Sequence, residues 1–261
     1  MLRFCCLGSG SRGNAYVIEA SDRHGTVQVL LDDGFSPREL ERRLARAGVD
    51  TAALAAVFVT HEHSDHAGGV AAFANRREKP VYATEGTGCA AGFDHAVRRL
   101  HRVRAGDAVL IGPLQVMPIA VPHDAAEPVQ FSFTDGVHRM AVVTDLGHPA
   151  MDVAAQLSDL DALVLEFNHD LEMLRAGPYP AFLKARIASD VGHLSNDQSL
   201  QLLAAIDQSR LMRVVAAHLS LTNNRPQLAL AALERLGLPA HVRFELADQE
   251  LGLPWCGVRP E

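Results

Sequence analysis

A short stretch of the sequence concentrates residue types that bind metal ions. It follows the apolar run 56–60 and places four such residues within six positions: His61, His63, Asp65 and His66. Imidazole nitrogens and carboxylate oxygens suit zinc, manganese or iron. Alternate residues of an extended loop point the same way, so His61 and His63 can share one ion. Asp65 and His66 lie past the bend and can reach a second ion. The alternative is a polar strand-to-helix loop in which Asp65 only caps the next helix.

Three more residues of ligand type stand at the ends of apolar strand candidates. They are His123, Asp145 and His218. Each residue alone is more often an exposed loop residue or a hydrogen-bonded, partly buried one. A two-metal site needs more ligands than the first stretch supplies. Because all three have the same relation to a strand, the sequence predicts that they complete the site.

This series resembles the metallo-β-lactamase superfamily, in which His-x-His-x-Asp-His is followed by a His, an Asp and a His at successive strand ends. The resemblance extends over nearly the whole chain. It is closest to the YycJ/WalJ branch, whose members are described as 5′→3′ exonucleases of single-stranded DNA. The first motif marks only the superfamily, and the later segments mark the branch. The matching segments are residues 8–14, 60–69, 121–128, 166–170, 177–180, 192–196 and 218–224.

The resemblance implies a division of the ligands between two divalent ions, zinc or manganese, with iron as a further possibility. One ion would be held by His61, His63 and His123. The other would be held by Asp65, His66 and His218. Asp145 would bridge both ions. Paired ions of this kind lower the pKa of a water between them, and the resulting bridging hydroxide would attack phosphorus.

The resemblance also implies roles for residues around the ligands. His193 is the candidate proton donor to the leaving group, with Glu166 orienting it. The same resemblance implies that Asp65 acts in catalysis as well as binding an ion. Asp32 would orient a ligand histidine from behind. The alternatives are that His193 only starts a helix and that Asp32 is a plain turn residue.

Five residues are candidate substrate contacts. Ser195 and Asn196 begin a predicted helix, whose free backbone N–H groups could hold a phosphate. Tyr179, Lys184 and Arg186 could stack on bases or neutralise phosphates. The alternatives are a helix cap for Ser195 or Asn196, and an exposed turn and amphipathic helix for the other three.

The elements that must position these residues form two series of strands, each followed by helices. Strands are predicted over residues 2–7, 15–19, 27–31, 56–60, 81–84, 108–111, 114–121, 129–133, 139–144, 162–166 and 213–217. Helices are predicted over residues 37–47, 67–77, 151–157, 180–188, 196–208 and 225–236. The pattern predicts an α+β fold of two packed sheets with helices outside. Together with the resemblance, it predicts a four-layer αββα sandwich in a single domain, residues 1–261.

Composition narrows the class of protein. The chain has 261 residues, 48% of them hydrophobic and 21% charged, as in ordinary globular proteins. We find no apolar run long enough to span a membrane and no signal-peptide layout at the start. The four scattered cysteines favour a reduced, cytoplasmic protein in which they are small core residues. The net charge of −7 neither supports nor excludes a nucleic-acid substrate, because an enzyme needs only a local groove.

The sequence therefore predicts a binuclear metal-dependent phosphodiesterase, a 5′→3′ exonuclease of single-stranded DNA with an implied part in DNA repair. One alternative is a thioesterase or lactonase of the same superfamily, in which water attacks a carbonyl carbon. Another is a hydrolase of small cyclic phosphodiesters. A third is a metal-bound regulator without catalysis, against which the complete ligand set and His193 argue.

Overall fold

The fold is built on two mixed β-sheets of seven strands each, seen in a computed structural model that describes residues 1–259. The strands of the first sheet are β1 (Leu2–Gly8), β2 (Ala15–Asp22), β3 (Gly25–Leu31), β4 (Leu54–Phe58), β5 (Val81–Ala83), β6 (Leu100–Arg102) and β14 (Leu253–Gly257). They are arranged in the order β14-β1-β2-β3-β4-β5-β6. The predicted single domain also includes residues 260 and 261, which lie outside the described residues.

The second sheet repeats this arrangement with later strands. They are β7 (Val109–Ile111), β8 (Leu114–Ala120), β9 (Val129–Thr134), β10 (Arg139–Val143), β11 (Ala162–Glu166), β12 (Arg213–Ala217) and β13 (Arg243–Leu246). They are arranged in the order β13-β12-β11-β10-β9-β8-β7. The final strand β14 returns to the first sheet beside β1, which ties the end of the chain to its beginning.

Helices cover the outer face of each sheet. Those of the first half are α1 (Pro37–Arg46), α2 (Ser64–Ala67), α3 (Val70–Arg77), α4 (Glu85–Ala90) and α5 (Phe93–Ala96). Those of the second half are α6 (Met151–Gln156), α7 (Leu171–Ala176), α8 (Ala181–Ile187), α9 (Asn196–Ala205) and α10 (Pro226–Leu236). No helix within residues 1–259 is long and apolar enough to cross a lipid bilayer.

Three hydrophobic cores correspond to the three spaces between the layers. Strand β11 shows how one strand serves two of them. Ala162 and Val164 face the other sheet, while Leu163 and Leu165 face the helices α6, α9 and α10. This follows from the period of two in side-chain direction along a strand. A third core lies between the first sheet and helices α1 and α3. The predicted αββα sandwich is confirmed.

Strand direction brings the ends of the central strands to one edge of the sandwich. Strands β3, β4, β5 and β6 run parallel to one another, as do β10, β11, β12 and β13. Strand β8 shares the direction of β10, because each is antiparallel to β9. The loops that follow these strands carry the predicted site residues.

Several elements differ from the prediction. The predicted helix 67–77 is split into α2 and α3 at Gly68–Gly69, and the predicted helix 196–208 ends at Ala205. Six short elements were not predicted: β6, β13, β14, α4, α5 and α7. All four cysteines are free, and three are buried as expected, but Cys89 is exposed and is not a core residue.

Candidate metal centre and active site

The first predicted ligand group, His61, His63 and His123, is brought together where β4 and β8 end. The ring centroids lie 4.6 to 5.1 Å apart, and the candidate ligand nitrogens lie within 4.8 Å of one another. The Nδ1 atom of His123 lies 3.0 Å from the carbonyl oxygen of Gly192. A carbonyl can only accept, so Nδ1 carries the proton and Nε2 keeps its lone pair. This is the protonation state in which a histidine binds a metal.

The second group, Asp65, His66 and His218, lies beside the first. The Oδ2 atom of Asp65 is 3.7 Å from His66 Nε2 and 3.6 Å from His218 Nε2. Behind His66, the carboxylate of Asp32 accepts from Nδ1 at 2.8 Å, and it also accepts from the backbone and hydroxyl of Thr60. Asp32 therefore fixes the ring of His66 with Nε2 towards the site.

Asp145 stands between the two groups. Its Oδ2 atom lies 2.9 Å from His66 Nε2, and its Oδ1 atom lies 4.0 Å from His123 Nε2. The residue is only 2% exposed. Burial alone would raise the pKa of Asp145, but the charges of His218, His66 and His61 hold that pKa well below its ordinary value. A buried anion shared by two ligand groups is suited to bridging two cations.

The unsatisfied atoms of the site fit bound cations. Three buried side-chain atoms here have no hydrogen-bond partner among the described residues: His61 Nε2, Asp145 Oδ2 and His218 Nε2. A buried polar atom without a partner costs about 1–3 kcal/mol, so such atoms call for an explanation. All three belong to residues of ligand type in one cluster. Divalent ions would satisfy them together.

Glu166 connects the second group to His193. Its Oε1 atom accepts from the Nδ1 atoms of both His193, at 2.8 Å, and His218, at 3.0 Å. Its Oε2 atom accepts from the backbone N–H groups of Leu146 and Leu194, each at 3.0 Å. Burial opposes ionisation, but the charge and hydrogen bond of His193 and the hydrogen bond of His218 outweigh it and lower the pKa of Glu166 to about 2. Glu166, His193 and His218 thus form a hydrogen-bonded cluster, and Asp145 lies beside it with its Oδ1 atom 3.4 Å from His193 Nδ1.

His193 reaches the open side of the site and is 23% exposed at its side chain. Burial lowers its pKa, but the charge and hydrogen bond of Glu166 and the charge of Asp145 raise it above its ordinary value. Its Nδ1 atom is engaged by Glu166, so its Nε2 atom is the one available to a ligand. The arrangement can hold a proton beside the candidate metal ligands.

A cleft of about 400 Å³ opens onto these residues. Its floor includes His63, Asp65, Asp145, His193 and His218. One wall comes from the helix α8 and the turn before it, through Tyr179, Leu183, Arg186 and Ile187. The lining also includes the polar residues Ser11, Asn168 and Ser220.

The predicted substrate contacts are divided by this geometry. Tyr179 lines the cleft, but Lys184 does not, because its Nζ atom donates to the carbonyl of Arg175 at 2.7 Å. Ser195 and Asn196 also lie outside the cleft. Ser195 caps α9 in a capping box, and the side chain of Asn196 pairs with that of Asn224. The contacts predicted for these three gain no support from the structure, and the helix-cap alternative describes Ser195.

The sequence motif 8–14 has a role that sequence reasoning missed. The Oγ atom of Ser9 accepts from the backbone N–H of His218 at 3.0 Å and from the hydroxyl of Tyr16 at 2.7 Å. The backbone N–H of Asn14 donates to the carbonyl of Asp65 at 2.8 Å. Gly34 packs closely against the loop that carries Asp65, and a Cβ atom at Gly34 would lie 1.8 Å from the carbonyl oxygen of Asp65. We call Ser9 and Asn14 the N-terminal clamp, since they hold two ligand loops.

The signal for this clamp was the dense Gly/Ser run of residues 8–14. Its partners are 51 and 209 residues away. Only the fold shows what the run contacts.

A four-layer αββα sandwich with this histidine and aspartate cluster at one edge defines a metallo-β-lactamase-fold protein. Residues 28–218 match the family model described as a beta-lactamase superfamily domain. The chain therefore belongs to the metallo-β-lactamase superfamily, and the relatives place it in the YycJ/WalJ branch. It is 33% identical to the exodeoxyribonuclease YycJ of Bacillus anthracis, covering 97% of each chain. It is 32% identical to the exodeoxyribonuclease WalJ of Streptococcus pneumoniae serotype 2, covering 94% of this chain and 93% of the relative.

Solved structures share the fold at lower identity. The metallo-beta-lactamase fold protein YhfI from Bacillus subtilis aligns with a TM-score of 0.72 at 14% identity, covering 98% of both chains. Zn²⁺-bound PqqB from Methylobacterium extorquens aligns with a TM-score of 0.71 at 20% identity, covering 98% of this chain and 99% of that one. At these identities the likeness concerns the fold alone.

Proposed function

We propose that the chain is a metal-dependent exonuclease that hydrolyses single-stranded DNA from the 5′ end. The observation that carries the proposal is the convergence of seven ligand-type side chains, with three unsatisfied buried atoms, beside an open cleft that four of the seven line. The relatives that match nearly the whole length of the chain are named exodeoxyribonucleases. A part in DNA repair and a cytoplasmic location are inferred from the branch and from the composition.

The chemistry follows from the division of the ligands. We assign one ion to His61, His63 and His123. We assign the other to Asp65, His66 and His218, with Asp145 shared. Zinc or manganese, or iron as a further candidate, would lower the pKa of a water and neutralise charge on the phosphate. The protein's own part is to fix the donor atoms: Asp32 orients His66, and the carbonyl of Gly192 orients His123.

We assign to His193 the protonation of the leaving group. Cleavage of a phosphodiester releases an oxygen that needs a proton. The ring of His193 is held by Glu166 through Nδ1, so Nε2 can deliver that proton into the cleft. Asp145 and Glu166 favour the protonated ring, which is the state a donor needs. Glu166 acts as a positioning residue, since it contacts His193 and His218 rather than the substrate.

Features of the cleft support a single strand as the substrate. Tyr179 offers an aromatic face beside the metal ligands, and bases of an unpaired strand can stack on such a face. Bases in a duplex have their faces covered by their neighbours. Attack on a carbonyl carbon, as in a thioesterase or lactonase, would use the same ligands, and the alkoxide that leaves a lactone also needs a proton. The exodeoxyribonuclease relatives therefore favour DNA over such a substrate.

The test is a substrate panel on the purified full-length chain, with manganese, zinc or iron added separately. Single-stranded and duplex oligonucleotides carry a label at the 5′ or the 3′ end, and a thioester and a lactone are included. We expect early release of a labelled mononucleotide from the 5′-labelled single strand and a ladder from the 3′-labelled one. Hydrolysis of the thioester or lactone without any cleavage of DNA would contradict the proposal. Equal cleavage of the duplex would contradict its single-strand component.

A further inference from the structure

The cleft carries a marked imbalance between fixed charges. Three carboxylates line it, from Asp65, Asp124 and Asp145. Among the described residues that line it, Arg186 is the one lysine or arginine. A nucleic-acid strand brings several phosphates, and the metal ligands serve only the one that reacts. Any neighbouring phosphate must find its positive charge elsewhere in the cleft.

Arg186 is placed to supply that charge. Its Nε atom is bonded to the Oδ2 atom of Asp124, and the other oxygen of the same carboxyl group lies 3.4 Å from His123 Nε2. One carboxyl group thus separates the guanidinium from a metal-binding nitrogen. A guanidinium has five N–H donors, and this bond uses one of them. The side chain is 57% exposed, so its remaining donors are accessible to a ligand.

The side chains of helix α8, which carries Arg186, contribute little to the hydrophobic core. None of the α8 side chains is buried. Leu183 and Ile187 are four residues apart and line the cleft on the same face as Arg186, with Tyr179 just before the helix. An apolar face that turns towards a cleft instead of a core is suited to a ligand with both apolar and charged parts, such as a nucleotide.

We propose that Arg186 binds a non-reacting phosphate next to the scissile one, and that it thereby selects a polynucleotide over a substrate with a single phosphodiester. This inference rests on the proposed function and names the residue that sets its substrate class. Asp124 holds the guanidinium in place beside the metal ligands. The wall formed by Tyr179, Leu183 and Ile187 would contact the base of the same nucleotide.

Lys184 provides a matched control. It lies on the same helix and carries the same charge, but its ammonium donates to the Arg175 carbonyl and does not line the cleft. The test compares R186A, R186K and K184A in the metal-loaded, full-length chain. Metal content is measured for each variant, so that loss of ligand binding can be excluded. The substrates are a single-stranded oligonucleotide and bis-p-nitrophenyl phosphate, which has one phosphodiester.

For R186A we expect KM for the oligonucleotide to rise about tenfold, as for loss of a charge-assisted hydrogen bond, with a much smaller change in kcat. The loss on bis-p-nitrophenyl phosphate should be several times smaller. The slope of log KM against log salt should become shallower by about 0.7, the value for one phosphate contact on a single strand. R186K should keep that slope but recover only part of the affinity, because lysine lacks the planar fork. K184A should match the wild type in slope.

Two results would overturn the inference while leaving the proposed function intact. One is that R186A and K184A cleave the oligonucleotide with equal KM and equal salt slopes. The other is that R186A loses activity equally on both substrates. If the wild type cleaves no oligonucleotide at all, the proposed function itself fails.

Discussion

Glu166 is one carboxylate that holds two histidines with different tasks. His218 is a proposed metal ligand and His193 the proposed proton donor, and both donate to the same oxygen of Glu166. Glu166 accepts four hydrogen bonds, two from these histidines and two from the backbone N–H groups of Leu146 and Leu194. An amide at this position would have to turn its own NH₂ group towards two of them.

We therefore expect Glu166→Gln to lower kcat about 10–100-fold, the usual cost of removing a group that orients a metal ligand. Adding His193→Ala to this variant should lower kcat much less than it does in the wild type, since Glu166 acts through His193. Steady-state kinetics on the oligonucleotide measure both effects. Glu172→Gln, at an exposed carboxylate on α7, serves as the control. Independent, multiplicative effects of the two changes would contradict the coupling.

Asp33 is a buried acid beside Asp32 whose pH behaviour can be measured separately. Its Oδ2 atom is buried without a partner among the described residues. Burial raises the pKa of Asp33 to about 7, although the N–H of Phe35 lowers it. In the unfolded chain the group ionises near pH 3.8. Between about pH 4 and 7 the native state thus keeps a proton that the unfolded state loses.

This difference in proton binding sets the direction in which the free energy of unfolding changes with pH. Asp33 lowers the free energy of unfolding as pH rises from about 4 to 7, and its effect is constant above that range. Asparagine resembles the protonated acid, so Asp33→Asn should remove this part of the slope and be more stable than the wild type at pH 7. Urea unfolding at several pH values measures it. Parallel pH profiles for the two proteins would show that Asp33 is ionised in the native state.

The site residues were predictable to different degrees. All seven proposed ligands were predicted from residue type and strand ends, because metal binding restricts the choice of side chain to a few types, and the structure brings the seven together. Arg186 and Lys184 were indistinguishable in sequence, since both are cations on one helix. Their difference depends on which face of α8 turns to the cleft, and that is a tertiary property.

At the scale of elements, the long strands were predictable and the short ones were not. Strands such as β8 and β11 are apolar runs with clear ends. The edge strand β6 is three residues, Leu100–Arg102, within a basic run that reads as exposed surface. Its pairing with β5 comes from the layout of the sheet and not from local preference. The prediction of one helix over residues 67–77 was wrong at its start, because α2 ends at Ala67 and α3 begins at Val70, with Gly68 and Gly69 between them.

The N-terminal clamp gives a prediction at this scale. Ser9→Ala removes the acceptor for the backbone N–H of His218, so the loop after β12 should be held less firmly. We expect metal affinity to fall about 10–100-fold, as for other groups that orient ligands. Competition with a chromogenic chelator measures the affinity.

The control for this change is Tyr16→Phe. It removes the hydroxyl that bonds Ser9 but leaves the Ser9 oxygen in place for His218. Its metal affinity should stay close to that of the wild type, even if its stability falls. A fall in affinity as large as that of Ser9→Ala would mean that general loosening of the core is the cause.

For the whole molecule, the proposed ions connect the two sheets. Their ligands come from the loop after β4 in the first sheet and from the loops after β8, β10 and β12 in the second. Metal at 100 times its Kd would add about 2.7 kcal/mol to the free energy of unfolding. For a chain of this size that corresponds to roughly 5–10 °C in Tm.

We expect a chelator to lower the Tm of the wild type by that amount, and Asp145→Ala to bind less metal and to lose activity. The Tm of Asp145→Ala should respond weakly to the chelator. Calorimetry with and without the chelator, together with elemental analysis, gives both values. An Asp145→Ala protein with two metals per chain and normal turnover would disprove the bridging role.

Three residues of the site have a backbone conformation that non-glycine residues rarely adopt. Asp32, Asp145 and His218 have φ values of 58°, 61° and 53°. Such conformations cost about 1–3 kcal/mol each and persist only where the surroundings enforce them. Glycine would adopt them without strain. A lineage that no longer needed its metals would therefore gain stability from glycine at these three positions. Homologues with that pattern should be stably folded proteins that have lost the metal-dependent activity.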